Sequence, residues 1–192
     1  MCTLYNNDQA FLEKYMTETP GYYTTGDAGY FDKDGYLNVM TRLDDIINTA
    51  GHRLSTAAME EVLLTHPSIS EAAVVAKIEE LKGEIPIGFV VIKSGKPRQG
   101  IEKELVQAIR KHIGPVACFQ IVIVVDKLPK TRSGKILRHI LRKMLEGEKY
   151  KYPATIEDDS VLSIIQKQIV EFGHGLGEKS KLTYRGDMDE FD

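Results

Sequence analysis

The 192-residue sequence has no tryptophan and only two cysteines, Cys2 and Cys118. Two cysteines cannot form the disulfide framework of a small secreted domain or a cysteine-rich zinc site. Long apolar runs are also absent, because the longest, Ile121 to Val125, falls far short of the roughly 20 residues needed to span a bilayer. The first ten residues have neither the basic start nor the apolar core of a secretory signal. We therefore expect neither a disulfide scaffold nor a membrane span.

The sequence also lacks an excess of charge of either sign. Lys and Arg number 25 and Asp and Glu number 28, which gives a net charge of −3 and argues against a dedicated nucleic-acid binder. Residues 129–152 are a local exception, with eight basic and two acidic residues. This stretch could bind a nucleic acid or an anionic membrane surface, or it could be the exposed side of a surface helix. No aromatic residues that could stack on nucleobases alternate with these basic residues, so we predict no nucleic-acid partner.

Hydrophobic periodicity predicts an α+β fold. Alternating or continuous apolar residues predict strands over 71–78, 86–93 and 120–125, with the third strand central. Helical spacing predicts helices over 56–65, with Ser55 as N-cap, and over 101–113 and 136–145. The prediction is a small three-stranded sheet flanked by helices.

The two ends of the chain differ from this body. Two short strand-like runs, 29–31 and 36–41, flank the turn Asp32–Gly35 and predict a β-hairpin. A lone hairpin is marginally stable, so we expect residues 1–43 to be the end of a larger domain that this chain lacks. Residues 44–150 are predicted to be a second domain, and 151–192 an extension with a helix over 160–172. The acidic, glycine-containing tail from Gly173 is predicted to be disordered.

Two stretches have residue types suited to ligand chemistry. The loop from Pro129 to Lys135 is cationic and contains a glycine, but it departs from a phosphate-binding P-loop at Pro129 and Ile136. Its lysine could reach a phosphate or carboxylate, or the loop could be merely solvated. The charged cluster from Arg42 to Arg53 suits a ligand site or a mobile joint, but by itself it favours a charged hairpin, because isolated surface ion pairs are common and weak. No zinc-type spacing is present, so we predict no metal ligands.

Three motifs in order resemble one family. These motifs are Tyr23–Asp27, then Arg42–Ile47 with Gly51–Arg53, then Pro129–Lys135. Together they resemble the C-terminal third of acyl-CoA synthetases in the adenylate-forming AMP-binding superfamily. The strings 41–55 and 110–115 are most similar to the short-chain branch, which contains acetyl- and propionyl-CoA synthetases, and 5–8, 20–23 and 155–158 resemble its mitochondrial member 3 type. The resemblance covers about residues 3–165.

The resemblance implies an acid–CoA ligase that uses ATP, coenzyme A and a short-chain carboxylate such as acetate or propionate. Such an enzyme forms an acyl-adenylate and diphosphate, and coenzyme A then displaces AMP. Mg²⁺ would accompany ATP, with no ligands expected in this chain. The large domain with the adenine and acyl pockets is missing here, so the chain alone is expected to be inactive. The resemblance also implies the mitochondrial matrix, with the cytoplasm as the alternative.

The resemblance also assigns roles to single residues. Lys135 would be the adenylation lysine, and Asp44 the hinge between half-reactions. Contacts with ATP or AMP would come from Asp27, Arg42 and Arg53. Coenzyme A would contact Gly51, in the pantetheine tunnel, and Arg110. Ala50 departs from the family pattern, because a serine commonly precedes this glycine in acetyl-CoA synthetases.

A second class of function also fits the sequence. A domain of this kind, retained without its partner, would be a noncatalytic module that binds a nucleotide, coenzyme A or a protein. The acyl-chain preference cannot be read from this sequence, because the acyl pocket is not in it.

Overall fold

The computed structural model describes residues 3–172, and its contacts divide the chain into two units, Met1–Ile46 and Ile47–Asp192. The tail from Gly173, predicted to be disordered, lies outside the described residues.

The first unit begins with a short helix, α1 (Asp8–Tyr15). The Asn7 side chain caps it by accepting a hydrogen bond from the N–H of Ala10 at 3.2 Å. Phe11 is the buried residue of this helix, and the Tyr15 ring stacks on Tyr23 with centroids 5.0 Å apart. Aromatic packing therefore holds the helix against the segment that leads to the first strand.

The predicted hairpin is confirmed as strands β1 (Asp27–Phe31) and β2 (Leu37–Arg42), which pair antiparallel. The Asp32 carboxylate stabilises the turn by accepting hydrogen bonds from the N–H groups of Tyr36 and Asp34, at 2.9 and 3.0 Å. Donation from the Tyr36 N–H is the main reason that the pKa of Asp32 lies below its ordinary value. A short 3-10 turn, Leu43–Asp45, follows β2.

The second unit is built on a five-stranded sheet. Its strands are β3 (Ile46–Thr49), β4 (His52–Ser55), β5 (Ile69–Glu79), β6 (Gly83–Ile92) and β7 (Ile121–Val124). The order along the sheet is β4-β3-β6-β5, and β7 also pairs with β6, in parallel, through Ile87–Val90. The longest pairing in the sheet is the antiparallel one between β5 and β6, and β6 is the strand to which β3, β5 and β7 all pair.

Helices cover both faces of this sheet. One face packs on α2 (Thr56–Leu64) and α3 (Ile101–His112) through Met59, Leu63, Leu105 and Ile109. The other face packs on α4 (Arg138–Glu146) and α5 (Ser160–Glu171). Alternate strand residues divide between the two cores, as the two-residue period of a strand requires: Val74 faces the first core, while Ala73 and Val75 face the second.

The α+β prediction is confirmed, with corrections of detail. The predicted three-stranded sheet corresponds to β5, β6 and β7, and β3 and β4 extend it to five strands. The prediction that residues 120–125 form the central strand is wrong, because β6 holds that position. β7 is apolar throughout because both of its faces are covered, with Val122 in one core and Ile123 in the other.

The extension contributes to the core of the second unit. The predicted helix over 160–172 is confirmed as α5, and its buried residues Val161, Leu162, Ile165 and Ile169 lie in one cluster with Ile140 and Leu141 of α4. The boundary predicted at 150 therefore falls between two helices that share a core.

Candidate functional site

The loop that carries Lys135 is a tight hairpin, here called the Lys135 hairpin (residues 129–137). The N–H of Leu137 donates to the carbonyl of Pro129, and the N–H of Thr131 donates to the carbonyl of Lys135, both at 2.8 Å. The Thr131 hydroxyl oxygen accepts a hydrogen bond from the N–H of Lys135 at 3.1 Å. Lys130 and Ile136 face each other as an antiparallel bridge. The sequence thus places Lys135 immediately after the turn of a hydrogen-bonded ribbon.

Gly134 makes this turn possible. Its φ of +82° lies in the left-handed region, which side-chain-bearing residues rarely adopt, and its N–H donates to the Thr131 carbonyl at 2.8 Å. The Lys135 side chain is exposed and, within residues 3–172, has no hydrogen-bond or ion-pair partner. A charge held on an ordered backbone and left unpaired is available to a ligand.

An ion pair holds the incoming arm of the hairpin to the sheet. The Lys130 ammonium donates to the Glu71 carboxylate of β5 at 2.6 Å, and both side chains are about one-third exposed. The contact joins positions 59 residues apart in the chain. Lys130 therefore has a structural partner, which distinguishes it from Lys135.

A second pair holds the outgoing arm. The Arg138 guanidinium donates twice to Glu60 of α2, from Nε at 2.9 Å and from Nη2 at 2.6 Å. Glu60 is 8% exposed and also accepts the N–H of Val74 on β5 at 2.8 Å. Fork-to-fork pairing of this kind fixes orientation as well as distance. Both ends of the hairpin are thus fixed to the sheet layer.

A similar arginine–glutamate pair lies one turn farther along α4. The Arg142 guanidinium donates to Glu84 at 2.8 Å, and Glu84 also accepts the N–H of Asn48 on β3 at 2.8 Å. Three basic residues of the stretch 129–152 are therefore paired with glutamates of the same unit. This pairing lowers the charge that the stretch presents and favours a structural role for much of it.

The two residues predicted to contact the nucleotide in the first unit are brought together. Asp27 and Arg42 are direct cross-strand partners in the register of β1 and β2. The Arg42 guanidinium also lies close to Gly26, since a Cβ built there would be 3.2 Å from Nη2. The Gly26 carbonyl accepts the N–H of Leu43 at 2.8 Å. A carboxylate and a guanidinium at one end of a hairpin suit a ligand with both hydroxyls and phosphate.

The predicted hinge and the glycine turn lie on either side of β3. Asp44 is in the 3-10 turn that precedes this strand. After β3, Ala50 and Gly51 have φ values of +47° and +83°, and the N–H of Ala50 donates to the Lys82 carbonyl at 2.8 Å. No atom lies within 4 Å of a Cβ built on Gly51 among the described residues. The backbone conformation alone therefore favours glycine at position 51.

The remaining predicted basic contacts are on separate elements. Arg53 is exposed on β4, and Arg110 is exposed in the last turn of α3. Neither side chain has a hydrogen-bond or ion-pair partner in the described part of the chain. No hydrogen bond or ion pair joins either arginine to the Lys135 hairpin within residues 3–172.

Sequence reasoning missed the glutamates that pair with Lys130, Arg138 and Arg142. These glutamates are Glu60 of α2, Glu71 of β5 and Glu84 of β6. Each contacts a basic side chain that lies 58 to 78 residues away along the chain. One signal was present: Arg138, Arg142 and Glu146 recur every fourth residue along α4, so they share one helix face. Glu146 completes the row by accepting the N–H of Ile78 at 2.7 Å.

Among residues 3–172, no group of three or more His, Cys, Asp or Glu side chains is placed to hold a metal ion. None of the helices in that range is long and apolar enough to cross a membrane.

Comparison with known proteins adds the family context. Residues 58–135 match the model of the AMP-binding enzyme C-terminal domain. The chain is 50% identical over 184 residues to acyl-CoA synthetase short-chain family member B, mitochondrial, of Dictyostelium discoideum, covering 95% of this chain and 26% of that protein. It is 44% identical over 168 residues to the human acyl-CoA synthetase short-chain family member 3, mitochondrial, covering 86% and 24%. The chain thus spans about a quarter of these relatives.

Two solved structures are also similar to this chain. The amide bond synthetase McbA from Marinactinospora thermotolerans matches 74% of this chain and 28% of its own, with a TM-score of 0.61 and 29% identity. The acyl-CoA synthetase of Brucella canis matches 64% of this chain and 23% of its own, with a TM-score of 0.50 and 38% identity. The sequence similarity also extends past residue 165, where the resemblance was expected to end.

Proposed function

The chain contains an AMP-binding enzyme C-terminal domain and is related to the short-chain acyl-CoA synthetases, and from this premise we propose that it is the C-terminal part of an acid–CoA ligase that acts on acetate or propionate. In the proposed reaction, a carboxylate oxygen attacks the α-phosphorus of ATP and the bond to diphosphate breaks. The coenzyme A sulfur then attacks the acyl carbon, and AMP leaves. The names of the relatives support the substrate class.

One observation carries the proposal: Lys135 is exposed and unpaired within the described residues, on a hairpin fixed at both ends. Attack of a carboxylate on a phosphate brings two anionic groups together. A positive charge already in place stabilises that transition state without reorganisation during the reaction. The ion pairs of Lys130 and Arg138 hold the backbone and leave Lys135 for the substrate.

We assign two of the nucleotide contacts to residues of the first unit. We assign Asp27 to the ribose hydroxyls, because a carboxylate accepts hydrogen bonds from a diol, and Arg42 to the ribose–phosphate region. Their cross-strand pairing supports a joint role. Arg53 is assigned to a phosphate as well. Mg²⁺ is expected to arrive with ATP, and we place no ligand for it on this chain.

The coenzyme A contacts are assigned to the second unit. Arg110, exposed in the last turn of α3, would bind a phosphate of coenzyme A, and Gly51 would leave room for the pantetheine arm. Asp44, in the turn before β3, would be the hinge about which the small domain rotates between the two half-reactions. Ala50 supplies no hydroxyl at a position where acetyl-CoA synthetases commonly have serine.

The names of the relatives also suggest where in the cell the protein is located. Several similar proteins bear mitochondrial names, so we propose the mitochondrial matrix for the protein that contains this chain.

The experiment supplies the missing domain. In a chimera, the whole chain replaces the aligned segment of the human short-chain family member 3 protein, to which it is 44% identical. We expect AMP release that requires acetate or propionate together with ATP and coenzyme A. A folded chimera that binds ATP but releases no AMP with any short-chain acid would instead support the noncatalytic module.

A further inference from the structure

A segment of the extension lies against the Lys135 hairpin as a third strand. We call residues 153–158 the clasp. The N–H of Arg132 donates to the Thr155 carbonyl, and the N–H of Glu157 donates to the Lys130 carbonyl, both at 2.9 Å. Between them, Thr131 and Ile156 form an antiparallel bridge. The clasp thus pairs with the arm of the hairpin that leads to the turn.

The clasp is itself anchored at its end. The Asp158 carboxylate accepts hydrogen bonds from the Ser160 hydroxyl at 2.6 Å and the Ser160 N–H at 3.1 Å, where α5 begins. The Lys127 ammonium lies 3.8 Å from the same carboxylate. Lys127 precedes the hairpin by two residues, so one ion pair joins the base of the hairpin to the end of the clasp.

Apolar packing completes the anchor. Ile156 packs partly buried against the core cluster that contains Leu137 of the hairpin. Helix α5 contributes Leu162, Ile165 and Ile169 to the same cluster, and each of them is at most 1% exposed. Burial of several such side chains fixes α5 firmly, and the clasp connects directly to it.

We infer that the clasp is a positioning element for Lys135, which holds the hairpin in the geometry that adenylation needs. A two-stranded ribbon is only marginally stable on its own, and the bridge to the clasp adds two backbone hydrogen bonds to it. Lys135 has no side-chain partner within residues 3–172, so the backbone of the hairpin decides where its charge lies. The clasp lies beyond the residues that match the family model, which end at Lys135 itself.

The inference rests on the proposed function, and it makes a selective prediction. A loosened hairpin would misplace Lys135 during the step in which its charge is needed. An error of about 1 Å in a reacting group can cost about a hundredfold in rate. Thioester formation from a supplied acyl-adenylate does not need that charge, so it would be spared.

The test compares two proline substitutions in the chimera. Glu157→Pro removes the N–H that donates to Lys130. Asp159→Pro is the matched control, because Asp159 has a φ of −77° and its N–H donates to no group among the described residues. We expect Glu157→Pro to slow carboxylate-dependent ATP–diphosphate exchange about tenfold to a hundredfold. Thioester formation from supplied adenylate should stay within about twofold, and the control should change neither step.

The outcomes separate the two claims. A parent chimera that is active and depends on Lys135, but shows equal loss of both steps or no loss with Glu157→Pro, overturns this inference alone. A parent chimera without carboxylate-dependent exchange removes the proposed function and the inference with it. Amide hydrogen exchange on the 192-residue chain is an independent check: the N–H groups of Arg132 and Glu157 should be protected, and Arg132 should lose protection in Glu157→Pro. Rapid exchange at both amides in the unsubstituted chain also overturns the inference.

Discussion

At the scale of single residues, the glutamates that pair with the arginines of α4 do more than balance charge. Glu60 and Glu84 each accept a backbone N–H from a strand as well as an arginine from α4. Each carboxylate therefore joins three elements, and its removal would take one hydrogen-bond partner from a backbone N–H and one from an arginine. Isolated surface pairs contribute little, but a partly buried pair with this connectivity is costly to break.

Glu60→Ala should lower the free energy of unfolding by about 2 to 4 kcal/mol, because it removes a mostly buried carboxylate that accepts hydrogen bonds from both Arg138 and the Val74 N–H. The neighbouring exposed residue provides the control, since Glu61→Ala should change stability by less than about 0.5 kcal/mol. Urea unfolding of the 192-residue chain measures both. Equal effects of the two substitutions would show that the Glu60 pair does not stabilise the unit.

Acid sensitivity provides a second residue-scale prediction. Hydrogen bonds from the Ser160 hydroxyl and N–H, together with the nearby Lys127 charge, lower the pKa of Asp158 below its ordinary value of 3.8. Because the folded-state pKa is depressed, the contribution of Asp158 to stability is present above the ordinary value and is lost as the pH falls through the folded-state value.

Asp158→Asn should therefore reduce the loss of stability between about pH 6 and about pH 3, compared with the unsubstituted chain. Denaturant unfolding at the two pH values measures it. A pKa of Asp158 at or above 3.8 in an NMR titration would contradict the assignment.

At the scale of elements, the sequence predicted what periodicity and capping determine. Ser55 capped its helix as expected, and the apolar spacing of Ile101, Leu105 and Ile109 placed α3 correctly. β3 and β4 were missed because strands of four residues around a turn are too short to show a period. The clasp was missed for a related reason: it pairs through backbone groups, which leave no pattern in side chains.

The candidate site shows the same division. Lys135, Asp27 and Arg42 could be singled out because local motifs carry them. The partners of Lys130 and Arg138 could not, because they depend on which strand lies beside the hairpin after folding. These contacts join residues 59 and 78 positions apart in the chain. They are set by tertiary packing, which local sequence patterns do not determine.

The proposed hinge at Asp44 is the element whose motion the proposed reaction would need most. Asp44→Pro fixes φ at this residue and restricts Leu43, so it should hold one orientation of the domain. In the chimera we expect one half-reaction to fall far more than the other, whereas Asp44→Ala, which leaves φ free, should retain both. Separate assays of diphosphate exchange and thioester formation measure this. Unchanged rates for both steps in Asp44→Pro would refute the hinge.

At the scale of the whole molecule, the chain corresponds to about a quarter of its curated relatives. A positioned lysine accelerates a reaction only when the reacting groups are held beside it. We therefore predict that the 192-residue chain has no ligase activity alone and binds ATP very weakly. The assay is AMP release with acetate or propionate, ATP and coenzyme A. Turnover above background that Lys135→Ala abolishes would show that this chain needs no further domain.

The central claim is that Lys135 serves adenylation and not thioester formation, and the most direct measurement is the split between these steps in the chimera with Lys135→Ala. The account predicts loss of carboxylate-dependent ATP–diphosphate exchange, with thioester formation from supplied acyl-adenylate retained, because the charge is needed only where carboxylate and phosphate meet. Acetylation of Lys135 should act in the same way, since it removes the charge. Equal loss of both half-reactions, or retention of exchange, would contradict the claim.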